Sequence, residues 1–200
     1  MFTTAKAAVV LLAAASFTAP AFAQESLRVS GGEVTVVCPL TVGGSFEAKT
    51  QDLEGDLAIA GDSQTVDGAL TVDLQTLETG IGLRDKHLKT NYLEVEKGPG
   101  FAEARLQDIR VERLEGKTSF RGVLTLHGRT REVTGTAQIK PERNGYRMEA
   151  TFPVKVADFE IPDPTYLGVG VADEVTVKVN LNALPAATAV ATSGKKRGKQ

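Results

Sequence analysis

Two hundred residues with 42% hydrophobic and 24% charged side chains, 20 glycines and a formal charge of −2 describe one ordinary folded domain and exclude a chain disordered by composition. The single cysteine, Cys38, excludes an intramolecular disulfide; with nothing basic beside it in sequence, it reads as a small buried hydrophobe. Setting aside Lys6, Lys195, Lys196, Arg197 and Lys199 turns −2 into −7 for residues 24–184, an acidic body that speaks against a nucleic-acid partner.

The chain opens with Lys6, an apolar run over 7–15 and A-F-A at 21–23, the pattern of a secretory leader cut after Ala23. The run falls well short of the roughly 20 residues that span a bilayer. The expectation is a periplasmic protein beginning at Gln24, with its domain over 24–184.

Strands are expected at 34–38, 45–49 and 53–59. Alternation then becomes regular, with Leu70, Val72 and Leu74 opposing Thr71 and Asp73. The next stretch breaks the pattern: T-G-I-G-L-R-D-K-H-L-K-T-N-Y-L-E-V-E-K-G-P over 79–99. Leu83, His87 and Leu88, then Leu88 and Tyr92, are spaced along one side of a helix of two to three turns, entered near Thr79 and fraying near Thr90 or Asn91. So short a helix is marginal alone in water and is expected to lie on the mouth or flank of a sheet. Arg84, Asp85 and His87 sit at i, i+1 and i+3, which do not all converge on one point. The expectation is that Arg84 and Asp85 pin the helix by hydrogen bonds while His87 seals the rim.

Beyond it, 101–106 and 109–114 read as one long strand that changes facing near Gln107 and Asp108, as at a bulge. Further alternating runs cover 119–126, 132–140, 146–156 and 175–181. Turns are signalled by G-G at 43–44, D-G at 67–68, E-G at 115–116, H-G at 127–128 and N-G at 144–145. His127, where a strand ends, is expected to bond a nearby backbone group. Residues 158–171, with Pro162, Pro164 and Tyr166, form a long loop expected to act as a lid or rim. The stretch 185–200 has no periodicity and a basic end, and is expected to be a disordered tail.

About eight strands joined by hairpins mean an all-β, antiparallel barrel or sandwich. Small residues recur on the apolar faces: Ala69, Ala102, Ala104, Gly122, Gly135, Ala137 and Ala150. In a closed barrel they would leave volume for a ligand; in a sandwich they would let two faces approach. Two histidines in different elements do not make a metal site, and no G-x-S-x-G, phosphate loop or nucleophile–base pair is present. No catalytic residue and no cofactor are therefore expected.

Several pieces recur in one order: T-G-x4-R-D-x-H-L followed by E-V-E-K-x-P, then L-T-L-H-G-x-T-R-x-V, A-D-F-x-I and D-E-V-T-V-K-V. Over roughly 65–182 this resembles the YceI-like family of exported lipid-binding proteins. The resemblance implies a lipocalin-like antiparallel barrel with a helix packed against it, and carriage of a long amphiphilic lipid, a polyisoprenoid of quinone or polyprenyl phosphate type, without chemistry. If the apolar strand faces line such a tunnel, Leu70, Val72, Ala104, Leu124, Ala137, Ala150 and Phe152 point into it. Leu88 and Tyr92 then cover one end, and Arg84, His87 and Tyr166 stand at the rim by the head group. The expected partners are that lipid and, transiently, a membrane surface. An exported lipid-modifying enzyme and a structural β-domain with a filled core are the rival readings.

Overall fold

The computed structural model describes residues 24–60, 65–162, 165–166 and 169–186; the leader expected over 1–23 and the tail from 187 onward lie outside them. The long strands are β1 (Gln24–Pro39), β2 (Ser45–Thr50), β3 (Leu53–Ala60), β4 (Thr65–Asp73), β5 (Glu103–Val111), β6 (Gly116–Leu126), β7 (Arg129–Glu142) and β8 (Gly145–Lys155). A two-residue ribbon, β9 (Thr165–Tyr166) and β10 (Val169–Gly170), precedes the last strand, β11 (Glu174–Pro185). The sheet runs β11-β8-β7-β6-β5-β4-β3-β1-β2, and β1 also pairs with β11. That pairing closes eight antiparallel strands into a barrel and decides against the sandwich.

Bulges turn the barrel's corners. In β1 the register with β11 shifts between Val29 and Gly32, beside Gly31 at φ 84. The extra residue moves the buried set from Leu27 and Val29 to Val34 and Cys38, from odd positions to even. It also gives β1 two partners in succession, β3 from Gln24 to Ser30 and β2 from Val34 to Pro39. The first half of β1 was not expected to be strand, because S-G-G at 30–32 breaks its alternation. β5 shows the expected bulge, with Asp108 at φ 52 and a register shift between Gln107 and Arg110.

The D-G pair at 67–68 is not a turn. It forms a bulge inside β4, where Gly68 has φ 109 and a Cβ would stand 2.0 Å from the Asp56 carbonyl oxygen. Only glycine satisfies both demands. The connection between β3 and β4, 61–64, lies outside the described residues.

The helical insertion follows β4. Helix α1 (Gly82–His87) continues into a wider turn over Leu88–Tyr92, which the Leu93 amide closes on the Leu88 carbonyl at 2.8 Å. A further short helix, α2 (Pro99–Ala102), takes in Phe101 and Ala102, which alternation had assigned to a strand. Pro99 at its first position is preset for the helical φ, and β5 starts at Glu103.

One half of the barrel is solid. Leu27, Val29, Leu57, Ile59, Val66, Ile109, Val111, Phe120, Ile139, Leu181 and Ala183 are all buried in one cluster there. Gly135 serves this packing and does not leave it empty. A Cβ on Gly135 would lie 2.6 Å from Phe152 Cβ and 2.8 Å from Phe120 Cε1, so its absence admits the two rings, which meet edge to face at 5.7 Å.

Candidate ligand-binding cavity

The other half of the barrel is open. A cavity of about 540 Å³ begins above Phe152 and runs to the mouth under α1. On seven of the strands the lining stops at a deepest residue: Val34 on β1, Leu53 on β3, Leu70 on β4, Leu106 on β5, Leu124 on β6, Phe152 on β8 and Val179 on β11. Below that ring lies the filled half, so the cavity has a floor. Toward the mouth the walls are Val36, Cys38, Phe46, Val72, Ala104, Leu126, Val154, Val175 and Val177, roofed by Leu83, Leu88, Tyr92 and Leu93.

Of the residues expected to line a tunnel, Leu70, Val72, Leu88, Tyr92, Ala104, Leu124 and Phe152 do so. Ala137 and Ala150 do not. They pair with each other across β7 and β8 and pack against the core, and on β8 the lining begins only at Phe152. Alternation gives the face a residue occupies and not its depth, so these two were placed in the wrong half of the barrel. Alternation equally marked Val175, Val177 and Val179, which line the cavity and were not singled out. Leu74 continues the alternation of Leu70 and Val72 and was not singled out either, whereas Leu77 and Ile81 were missed because they reach the cavity from irregular chain after β4, where no period marks a face.

The mouth holds the polar chemistry. Arg84 and His87 are the basic side chains among the described lining residues. Arg84 Nε donates to Thr79 Oγ1 at 2.9 Å, and its Nη2 donates to the Thr79 carbonyl at 2.9 Å. Its guanidinium lies over the Phe46 ring at 4.1 Å, a cation–π contact that ties α1 to β2. Asp85 accepts from the Thr79 amide at 2.7 Å and from Thr79 Oγ1 at 2.5 Å. Burial pushes its carboxyl up, but these two bonds, with Lys89 and Arg84 nearby, hold it below the ordinary carboxylate range. The neighbours Arg84 and Asp85 thus converge on one residue, Thr79, and pin the helix start. The backbone of Tyr166 pairs with Val169 in the ribbon; its side chain lies outside the described residues.

The stretch after β8 forms part of the wall, through Val156, Ile161, Val169 and Val171. His127 locks it. This buried ring donates from Nδ1 to the Phe159 carbonyl at 3.0 Å, the backbone bond expected of it, although the partner is distant in sequence. Its Nε2 lies 3.2 Å from Glu94 Oε2, and Phe101 meets the ring edge-on at 4.8 Å. Glu94, His127 and Glu160 all adopt φ near 50, and Arg129 pairs with Glu160. Such left-handed residues are held only where surrounding contacts fix them.

Cys38 faces the cavity. Burial pushes its thiol from 9.0 up to about 11, with Arg84 pulling weakly the other way. An inert thiol results. Among the described residues no three His, Cys, Asp or Glu side chains gather so as to hold a metal ion.

The model of the YceI-like domain matches residues 17–183 of the chain. No protein with a curated description matches it. Among solved structures, BcnA of Burkholderia cenocepacia is similar at 18% identity and a TM-score of 0.63, over 75% of this chain and 94% of that one. A polyisoprenoid-binding domain from Saccharophagus degradans is similar at 14% and 0.60, over 81% and 99%. A Campylobacter jejuni YceI protein is similar at 16% and 0.55, over 72% and 86%. At such identities these likenesses show the fold.

Proposed function

The chain belongs to the YceI-like domain family, and from that membership and its floored apolar cavity we propose that it binds a long-chain amphiphilic lipid, of polyisoprenoid type, with the tail in the barrel. The observation that carries this reading is the cavity itself. A space of 540 Å³ left dry leaves the apolar side chains around it without packing partners, which costs stability. Water is a poor occupant, because the walls offer almost no hydrogen-bond partners away from the mouth. An apolar chain fills the space and is held by burial alone. The S. degradans domain described as polyisoprenoid-binding supports the choice of tail.

In this reading the protein is a carrier and not an enzyme. Arg84 and His87 face the head group, and Arg84, already bonded to Thr79, is a fixed positive contact. Loading takes place at a membrane surface, where Ile81, Leu83 and Val169 are at once exposed and part of the cavity's rim. The leader pattern ending at Ala23 supports an extracytoplasmic location. N-terminal sequencing of the purified exported protein should read from Gln24, and an intact Met1 would contradict export by cleavage.

The test of binding is extraction of the gently purified protein followed by mass spectrometry. One bound long-chain lipid is expected. An interior empty after purification, together with no uptake of added prenol by the lipid-free protein, would overturn the reading; a product whose formation depends on His87 or Asp85 would replace it with an enzyme.

A further inference from the structure

The lipid reading leaves open how long a tail the barrel measures. We infer that the edge-to-face pair Phe120–Phe152, seated on Gly135, is a ruler that fixes the length of tail this chain buries. The inference rests on the lipid reading and goes beyond it.

Phe152 belongs to the cavity and Phe120 to the filled half, so the pair marks the boundary between them. Their rings meet at 5.7 Å with planes at 90°, an arrangement possible because residue 135 has no Cβ to displace them. Beneath them Ile139, Leu181 and Ala183 are buried and leave no continuation of the cavity. On other strands, Val34, Leu70, Leu124 and Val179 are the last residues to touch the space. A tail entering from the mouth therefore stops on the Phe152 ring. At the interior packing density of about 0.75, the 540 Å³ cavity takes about 400 Å³ of ligand, on the order of five isoprene units. Units beyond that number remain outside the mouth and contribute no burial. The ruler thus sets a length above which affinity stops rising; it does not exclude longer lipids.

The experiment measures affinity of the lipid-free protein for a ladder of linear prenols, from two to eight isoprene units. Wild type should bind more tightly with each unit up to about five and then level off. Phe152→Ala frees roughly one unit of volume and should move the break about one unit longer. Val179→Phe raises the floor from the neighbouring strand β11 and should move it one unit shorter. The second variant keeps the test decisive if Phe152→Ala does not fold. Affinity that keeps rising to eight units, or a break that stays in place in the folded variants, overturns the ruler while leaving lipid binding intact. If wild type binds no member of the ladder, the lipid reading itself falls, and the ruler with it.

Discussion

Cys38 and His127 show how single residues report on the two halves of the site. The thiol's value is raised above that of an unfolded chain, so its contribution to stability is complete below about 9 and is lost as pH climbs through about 11. Over that window wild type should lose about 2 to 3 kcal/mol that Cys38→Ala does not lose. Urea titrations at neutral and alkaline pH check this, and parallel curves for the two proteins would show that the thiol is not buried. At neutral pH the same burial should leave Cys38 unreactive to charged thiol reagents. His127 is a different case, because its φ of 50 mixes a backbone demand with side-chain bonds. Asparagine tolerates that φ, so His127→Asn keeps the turn while removing the ring that bonds the Phe159 carbonyl and faces Glu94. The expected loss is about 2 kcal/mol, from a buried carbonyl left without its partner. Equal urea midpoints for the variant and wild type would mean that the ring contributes no net stability.

Among the elements, the helical insertion and the small-residue positions divide the work between lid and floor. Thr79 Oγ1 gives to Asp85 and receives from Arg84, so Thr79→Val removes two bonds with one atom. About 1 to 2 kcal/mol should go, together with hydrogen-exchange protection of α1, while the protection of β6 and β7 stays. Loss of protection throughout the barrel would show instead that the helix belongs to the global folding unit. Depth decides the fate of the alanines. Ala104 lines the cavity, so Ala104→Leu should block lipid retention with the lipid-free melting temperature unchanged or higher. Ala150 packs against the core beneath the floor, so Ala150→Phe should cost about 1 to 3 kcal/mol by overpacking. Equal melting behaviour in the two variants would put both residues at the same depth. This contrast also marks what the sequence could express. Period-two alternation identified the inward face of β6, β8 and β11, because hairpin neighbours share that rule locally. It carried no information on depth, since depth depends on how strands distant in sequence are staggered around a closed barrel. The anchoring role of Arg84 and Asp85 was legible from their place on a helix too short to stand alone; their common partner Thr79 was not.

For the molecule as a whole, closure is the property hardest to read from local pattern. Barrel and sandwich predict the same hairpins, and the two differ here in the pairing of β1 with β11, from Leu27 with Pro185 to Val37 with Thr176. The half of β1 that meets both β3 and the end of β11 is the part whose alternation S-G-G interrupts. The final strand runs through Pro185, and the Ala186 amide still donates to the Ser26 carbonyl at 2.8 Å, so ordered chain reaches past the point where periodicity ends.

That seam between the first and last strands also sets the order of events in folding. Hairpins from β3 to β8 can form between neighbours, but the seam must wait until nearly the whole domain has been synthesised. Until then β1 and β8 present unpaired edges, the condition under which sheets join to other chains. The loop-closure entropy is met only at this last step, which places refolding among slow, non-local β topologies, at milliseconds to seconds. A chain ending before Glu174 should therefore remain an aggregating open sheet, and β11 supplied as a separate peptide should rescue its solubility by completing the ring. Light scattering with and without that peptide measures the effect; a truncated chain that stays monomeric unaided would show that the seam is dispensable.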